Sequence, residues 1–322
     1  MKALNAAETD ARWWTAPELR GELDAVLNLV SAARREAPLD EEKAARKFCD
    51  ALNRAWNARA RLSADPSPES DWPLVKALVS SLPDEDGLAL LRSYELRELA
   101  SIDPPILNHR TLLRRGLLGS VADIPDEVRR EAVAAHLKLR RRLEGMSDEP
   151  TADDIQAGLV RVADLLYVIR SNLQHGEKFA SPDPVRIARD RLISEKAARV
   201  LEHFFDLLFG SPSTSLAAYG SLAPGGAHHA ELDGVGGEWT PAVVRGELRE
   251  DPFPTLTAIP AGDPVEVQLL RNASSLRARW PRLDQLEGSS YARVLVPAEV
   301  DRGGLLITNL YSGRRPAAGA RS

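Results

Sequence analysis

From its first tryptophans to about residue 210, the chain repeats apolar positions at helical spacing. Leu19, Leu23, Val26, Leu27 and Val30 share one face of a helix opened by Pro17-Glu18-Leu19. Asp40 reads as the cap of a second helix, rich in Ala and Arg, that runs to about Leu62. Residues 64–70 read as a loop, and helical patterns follow over Trp72–Leu82 and Asp84–Leu99. Pro104-Pro105 breaks the stretch 102–107. Pro125–Leu143 is a strongly charged helix whose charges read as a solvated face. Thr151-Ala152-Asp153-Asp154 has the form of a capping box. The helix it starts carries Ile155, Leu159, Val162, Leu165, Leu166 and Ile169 at helical spacing and stops at Gly176. Asp183-Pro184 opens the last long helix, through Leu208, with proline at its first position.

The period then changes. After the small polar stretch Gly210–Ser215, Gly and Pro punctuate short strands at Leu216–Tyr219, Val243–Leu248, Val265–Leu270, Tyr291–Val296 and Leu305–Tyr311. Lys196 is the last lysine. The change of texture predicts a multi-domain chain: an all-α domain over 1–210, a linker over 211–215, an α+β domain over 216–315 and a disordered tail over 316–322. Each half is long enough to bury its own core, so the two are expected to pack separately.

Composition narrows the function classes. The chain has 322 residues, 43% of them hydrophobic, and a formal net charge of −5. There is no whole-chain basic footprint for nucleic acid. Cys49 is the single cysteine, which excludes an intrachain disulfide and suits a reducing, cytoplasmic compartment. Residues 1–14 lack an apolar signal core, and no apolar run approaches the roughly 18 residues that would span a bilayer.

The candidate chemistry begins at Tyr219-Gly220-Ser221-Leu222-Ala223-Pro224-Gly225-Gly226. A strand that ends in a glycine-rich turn offers free backbone N–H groups to a carboxylate or an oxyanion. By itself such a stretch reads most simply as a turn. A second stretch, Leu283-Asp284-Gln285-Leu286-Glu287-Gly288-Ser289-Ser290-Tyr291-Ala292-Arg293, changes that. Together, YGSL and LDxxEGxxYxR resemble the gamma-glutamylcyclotransferase family. Pro224-Gly225-Gly226-Ala227-His228-His229, Trp239 with Val244–Leu248, and Phe253-Pro254 extend the resemblance across roughly Leu216 to Arg314. It implies a small mixed barrel and an enzyme that turns a gamma-glutamyl compound into 5-oxoproline and a free amine, with no metal or organic cofactor. It also implies Glu287 as the catalytic acid/base, Tyr219, Gly220, Ser221 and Leu222 as the substrate loop, and Tyr291 as a pocket residue. Tyr311 aligns loosely with a tyrosine of the family's last strand. Read without the resemblance, a Glu before Gly is a solvated turn residue. His228, His229 and Glu231 are metal-ligand types, but adjacent histidines point apart and no third ligand stands out, so no metal is expected.

The helical half carries a motif of its own. Arg170-Ser171-Asn172-Leu173-Gln174-His175 has the form R-x4-H and resembles the motif of HEPN domains. These are all-α domains of bacterial defence and toxin proteins, and many are dimeric, metal-independent ribonucleases. The resemblance implies Arg170 and His175 as a ribonuclease pair, RNA as a partner and a homodimer through the helical domain. Five residues turn about 140° around a helix, so one helix does not converge the two side chains. Read plainly, a cation and a His near a helix C-terminus suit its dipole. The sequence therefore predicts a cyclotransferase-like enzyme fused to a HEPN-like domain. The alternatives are an RNA-cleaving toxin or defence effector whose C-terminal domain senses or modifies, and a non-catalytic interaction protein.

Overall fold

A computed structural model describes residues 12–62, 71–117, 124–175, 183–250, 253–301 and 304–314, the side chain of His175 excepted. The chain divides into two compact units, Met1–Glu22 with Ala32–Leu208, and Leu23–Ser31 with Phe209–Ser322.

The first unit is helical among its described residues. Pro17–Leu19 forms a 3-10 turn that leads into α1 (Arg20–Glu36). Asp40 caps α2 (Glu41–Ala60), its carboxylate accepting the Lys43 N–H at 3.0 Å. After α3 (Asp71–Val79), the predicted helix over 84–99 is two helices, α4 (Asp84–Arg92) and α5 (Tyr94–Ser101). The cause is Ser93, which leaves helical dihedrals (φ −63°, ψ 146°) and accepts the Leu96 N–H on its side chain at 3.2 Å. A hydroxyl at that position competes for the backbone and restarts the helix. Next come α6 (His109–Arg114) and α7 (Asp126–Glu144). The Thr151–Asp154 box closes reciprocally, with Asp154 N–H to Thr151 Oγ1 at 3.2 Å and Thr151 N–H to Asp154 Oδ2 at 3.2 Å. It opens α8 (Ala152–His175), whose Leu159, Val162, Leu165, Leu166 and Ile169 are almost wholly buried. The stop expected at Gly176 lies outside the described residues. The last helix, α9 (Pro184–Leu208), packs along α2, with Phe48 and Phe205 stacked 6.3 Å apart.

The second unit is a small barrel with a helix laid on it. Its strands are β1 (Leu216–Ala218), β2 (Glu238–Arg249), β3 (Thr255–Ala258), β4 (Asp263–Arg271), β5 (Tyr291–Val300) and β6 (Gly304–Gly313). They lie in the order β3-β2-β4-β1-β6-β5, and β5 pairs back to β2 at Glu299 and Val243. That pairing closes five strands on themselves, with β3 alongside β2. β1 runs parallel to β6 and antiparallel to β4.

Strand alternation sorts the residues into two cores. Ala217, Val244, Val267, Leu269, Val296 and Leu310 pack together as one cluster. Leu216, Ala218 and Leu270 pack in another with Leu276, Trp280 and Leu283 of α10 (Leu276–Glu287). Each such large apolar side chain contributes about 1.5–3 kcal/mol on burial. The stretch 211–215 is bonded into this unit. The carbonyls of Pro212, Ser213 and Thr214 accept from Asn309 Nδ2 (2.7 Å), Trp280 Nε1 (3.0 Å) and Ala273 N–H (3.0 Å).

Candidate active site

A small, solvent-open cleft lies in the second unit where β1 ends. It is lined by Leu216–Leu222, Pro254, Glu287, Tyr291 and Tyr311, so five separate stretches of the barrel unit meet there. Every residue named for the cyclotransferase reading is among them. His228, His229 and Glu231 are not among the lining residues: His229 Nδ1 lies 3.2 Å from the Leu222 carbonyl, and Glu231 is paired with Arg282. Among the described residues no group of three or more His, Cys, Asp and Glu side chains has the closeness a metal needs.

The loop after β1 is shaped by its own hydrogen bonds. Ala223 N–H reaches the Gly220 carbonyl at 3.0 Å, and His228 N–H reaches the Ser221 carbonyl at 2.9 Å. Gly226 sits so close beneath the loop that a Cβ there would stand 2.3 Å from the Ser221 carbonyl oxygen, so only glycine fits. These bonds use carbonyls. The N–H groups of Gly220, Ser221 and Leu222 have no acceptor among the described residues. The Ser221 side chain is exposed, while the Tyr219 hydroxyl donates to the Tyr311 carbonyl at 2.8 Å. Burial raises the Tyr219 phenol above its ordinary range, so it stays neutral.

Glu287 is the last residue of α10. Burial raises its pKa above the ordinary carboxylate value, and the charge of His228 pulls in the opposite direction. The helix C-terminus, where carbonyls gather negative potential, also disfavours a carboxylate. Gly288 then turns the chain away at φ 62°, ψ −153°, a conformation that is close to glycine-only. Its missing Cβ would meet nothing within 4 Å, so the requirement lies in the backbone and not in packing. The turn carries the chain through Gly288–Ser290 into β5, whose first residue, Tyr291, returns to the cleft. The Tyr291 hydroxyl is 3.0 Å from Thr255 Oγ1.

Two residues of the motif had no role from sequence. Asp284 precedes Glu287 by one turn and pairs with Arg293, Nε to Oδ1 at 3.0 Å and Nη2 to Oδ2 at 3.2 Å. Asp284 Oδ1 also accepts the Tyr311 hydroxyl at 2.7 Å. The signal was in plain view as the D and R of LDxxEGxxYxR, but only the fold brings β6 to them.

In the helical unit, Arg170 is tightly held. Its Nε donates to Asn53 Oδ1 at 3.0 Å, its Nη2 lies 3.2 Å from Asp71 Oδ2, and its guanidinium sits 5.5 Å from the centre of the Trp56 ring. The side chain of His175 lies outside the described residues. The described residues lend the ribonuclease pair no support, and they lend none to RNA or to a homodimer as partners. No helix among them is long and apolar enough to cross a membrane.

No protein-family model matches the chain, and no curated protein matches it at a significant level. Among solved structures, an AIG2-like protein of Mus musculus matches at 20% identity and a TM-score of 0.26. The match covers 33% of this chain and 80% of that one. A likeness at that score decides nothing about activity, which rests on the residues of the cleft.

Proposed function

We propose that the second unit is a gamma-glutamylcyclotransferase-like enzyme that cleaves a gamma-glutamyl amine or amide into 5-oxoproline and a free amine. One observation carries the reading: a half-buried carboxylate with a raised pKa, Glu287, lines the same cleft as a loop with three unengaged backbone donors. Cyclisation needs these two things on facing sides of one substrate.

The steps follow from the chemistry. Glu287 as carboxylate takes a proton from the substrate's α-ammonium. The freed nitrogen attacks the γ-carbonyl carbon, and a C–N bond closes a five-membered ring. The carbonyl oxygen gains the electron pair, and the N–H groups of Gly220, Ser221 and Leu222 are the donors available to hold it. Collapse of that oxyanion breaks the original C–N bond as the departing amine takes the proton from Glu287. The ring nitrogen then gives up its second proton to the Glu287 carboxylate so restored, which passes it to the amine. 5-Oxoproline thus leaves as the neutral lactam and the amine as an ammonium. Atoms and charge balance without water or a cofactor. The cleft's share is to fold the glutamyl chain so that nitrogen and carbonyl approach, an intramolecular advantage that is large when the geometry is held.

The test is 5-oxoproline release from a panel of gamma-glutamyl amides by the parent and by Glu287→Gln. The amide keeps the shape and cannot take the proton, so release by the variant is expected to fall at least 100-fold, the scale of a lost general base. Undiminished release would remove Glu287 from the mechanism.

A further inference from the structure

The mechanism above leaves Tyr311 and its neighbours without a task, although Tyr311 is held from several directions. The Tyr311 hydroxyl donates to Asp284 Oδ1 at 2.7 Å. Asp284 is gripped by two nitrogens of Arg293, and the Arg293 guanidinium lies 4.5 Å from the centre of the Trp280 ring. Trp280 is itself anchored through Nε1 on the Ser213 carbonyl and meets Tyr311 edge to face at 6.5 Å. The Tyr311 backbone is fixed from the other side by the Tyr219 hydroxyl. Tyr311 nonetheless lines the cleft with Glu287.

The direction of one hydrogen bond decides what Tyr311 offers. A phenol has one proton to donate and lone pairs that accept. A carboxylate paired with a guanidinium only accepts, so the Tyr311 proton is committed to Asp284. What remains for the cleft is the oxygen's lone pair. We propose that Tyr311 is a second acceptor for the substrate's α-ammonium beside Glu287, and that Asp284 and Arg293 are positioning residues that keep its hydroxyl turned as an acceptor.

The inference rests on the cyclotransferase reading and sharpens the class of ligand. Acceptors stand at Glu287 and Tyr311, and donors stand at Gly220–Leu222. That polarity suits a zwitterionic α-amino acid head with an uncharged γ-amide, and it disfavours the same chain without its amine. After Glu287 has taken a proton, the Tyr311 oxygen still holds one N–H, which keeps the nitrogen lone pair aimed at the carbonyl.

The test is calorimetric binding to the full-length chain in the Glu287→Gln background, where turnover is stopped. The probes are γ-L-glutamyl methylamide and glutaric acid monomethylamide, its counterpart without the amine. The amino probe is expected to bind about tenfold more tightly, the scale of one hydrogen bond to a charged group. Adding Tyr311→Phe, which keeps the ring, is expected to erase that preference and leave the affinity for the amine-free probe unchanged. Asp284→Ala is expected to do the same, and Arg293→Lys to retain an intermediate preference. A fold defect would weaken both probes together. An undiminished preference in Tyr311→Phe, or no preference before it, overturns the proposal. An undiminished preference in Asp284→Ala overturns the positioning role. If the preference behaves as expected but the parent releases no 5-oxoproline, the ammonium site stands and the cyclotransferase reading falls.

Discussion

At the scale of the residue, Glu287 has the properties a base needs and a cost that comes with them. Because burial raises its pKa, the rate is expected to fall as pH drops through a value above the ordinary 4.5, where the carboxylate protonates. His228 opposes that shift, so His228→Ala is expected to move the acidic limb of the pH–rate profile to higher pH. A limb that stays in place or moves lower would show that His228 does not act on Glu287. The same group makes a stability claim. The folded chain holds the Glu287 proton to higher pH than the unfolded chain does. Stability is therefore lost as pH rises from the unfolded pKa to the raised folded one, and the penalty persists above it. Glu287→Gln is expected to melt no lower than the parent at neutral pH, and the gap is expected to close in acid below both pKa values. A lower Tm for the variant at pH 7 would contradict this.

At the scale of the element, the end of α10 sets the site. Asp284 and Glu287 are three residues apart and so project on neighbouring sides of the last turn. Gly288 then reverses the chain in a conformation that other residues reach only with strain. Gly288→Ala is expected to cost about 1–3 kcal/mol of stability, measured by denaturant unfolding, with no clash to relieve. Wild-type stability for that variant would mean that the turn tolerates a side chain. The element itself was hidden in the sequence. Pro281 stands inside it, and an internal proline argues against a helix. Its buried residues, Leu276, Trp280 and Leu283, are few and separated by charges. β3 escaped notice as well, because four residues with one buried position leave almost no period to read. The long helices were legible for the opposite reason: their apolar stripes recur over several turns.

At the scale of the molecule, the second unit includes a piece of α1. Residues Leu23–Ser31 belong with it, and within it the Ser31 hydroxyl accepts the Leu295 N–H at 2.8 Å. Leu23, Val26, Leu27 and Val30 are all essentially buried. A fragment that begins at residue 209 lacks this piece, and the exposed apolar surface favours aggregation. We expect such a fragment to be less soluble than the full chain, or to melt at least several degrees lower. A fragment with the full-length Tm and cleft would show that 23–31 is dispensable. The sequence alone predicts a boundary near 210–216, because texture changes there, and a short early helix carries no mark of which core will bury it.

The sequence by itself determined the helical first half, most strand positions, and the two motifs that meet in the cleft. Those features are local: periodicity, caps and short spacings are written in neighbouring residues. It did not determine that Tyr311 donates to Asp284, that Arg293 holds that carboxylate, or that burial lifts the pKa of Glu287. Each of these depends on closing β5 against β6 and laying α10 over the barrel, which brings together residues that the chain keeps apart. Charge and hydrogen-bond direction are properties of that arrangement, and only the tertiary structure supplies it.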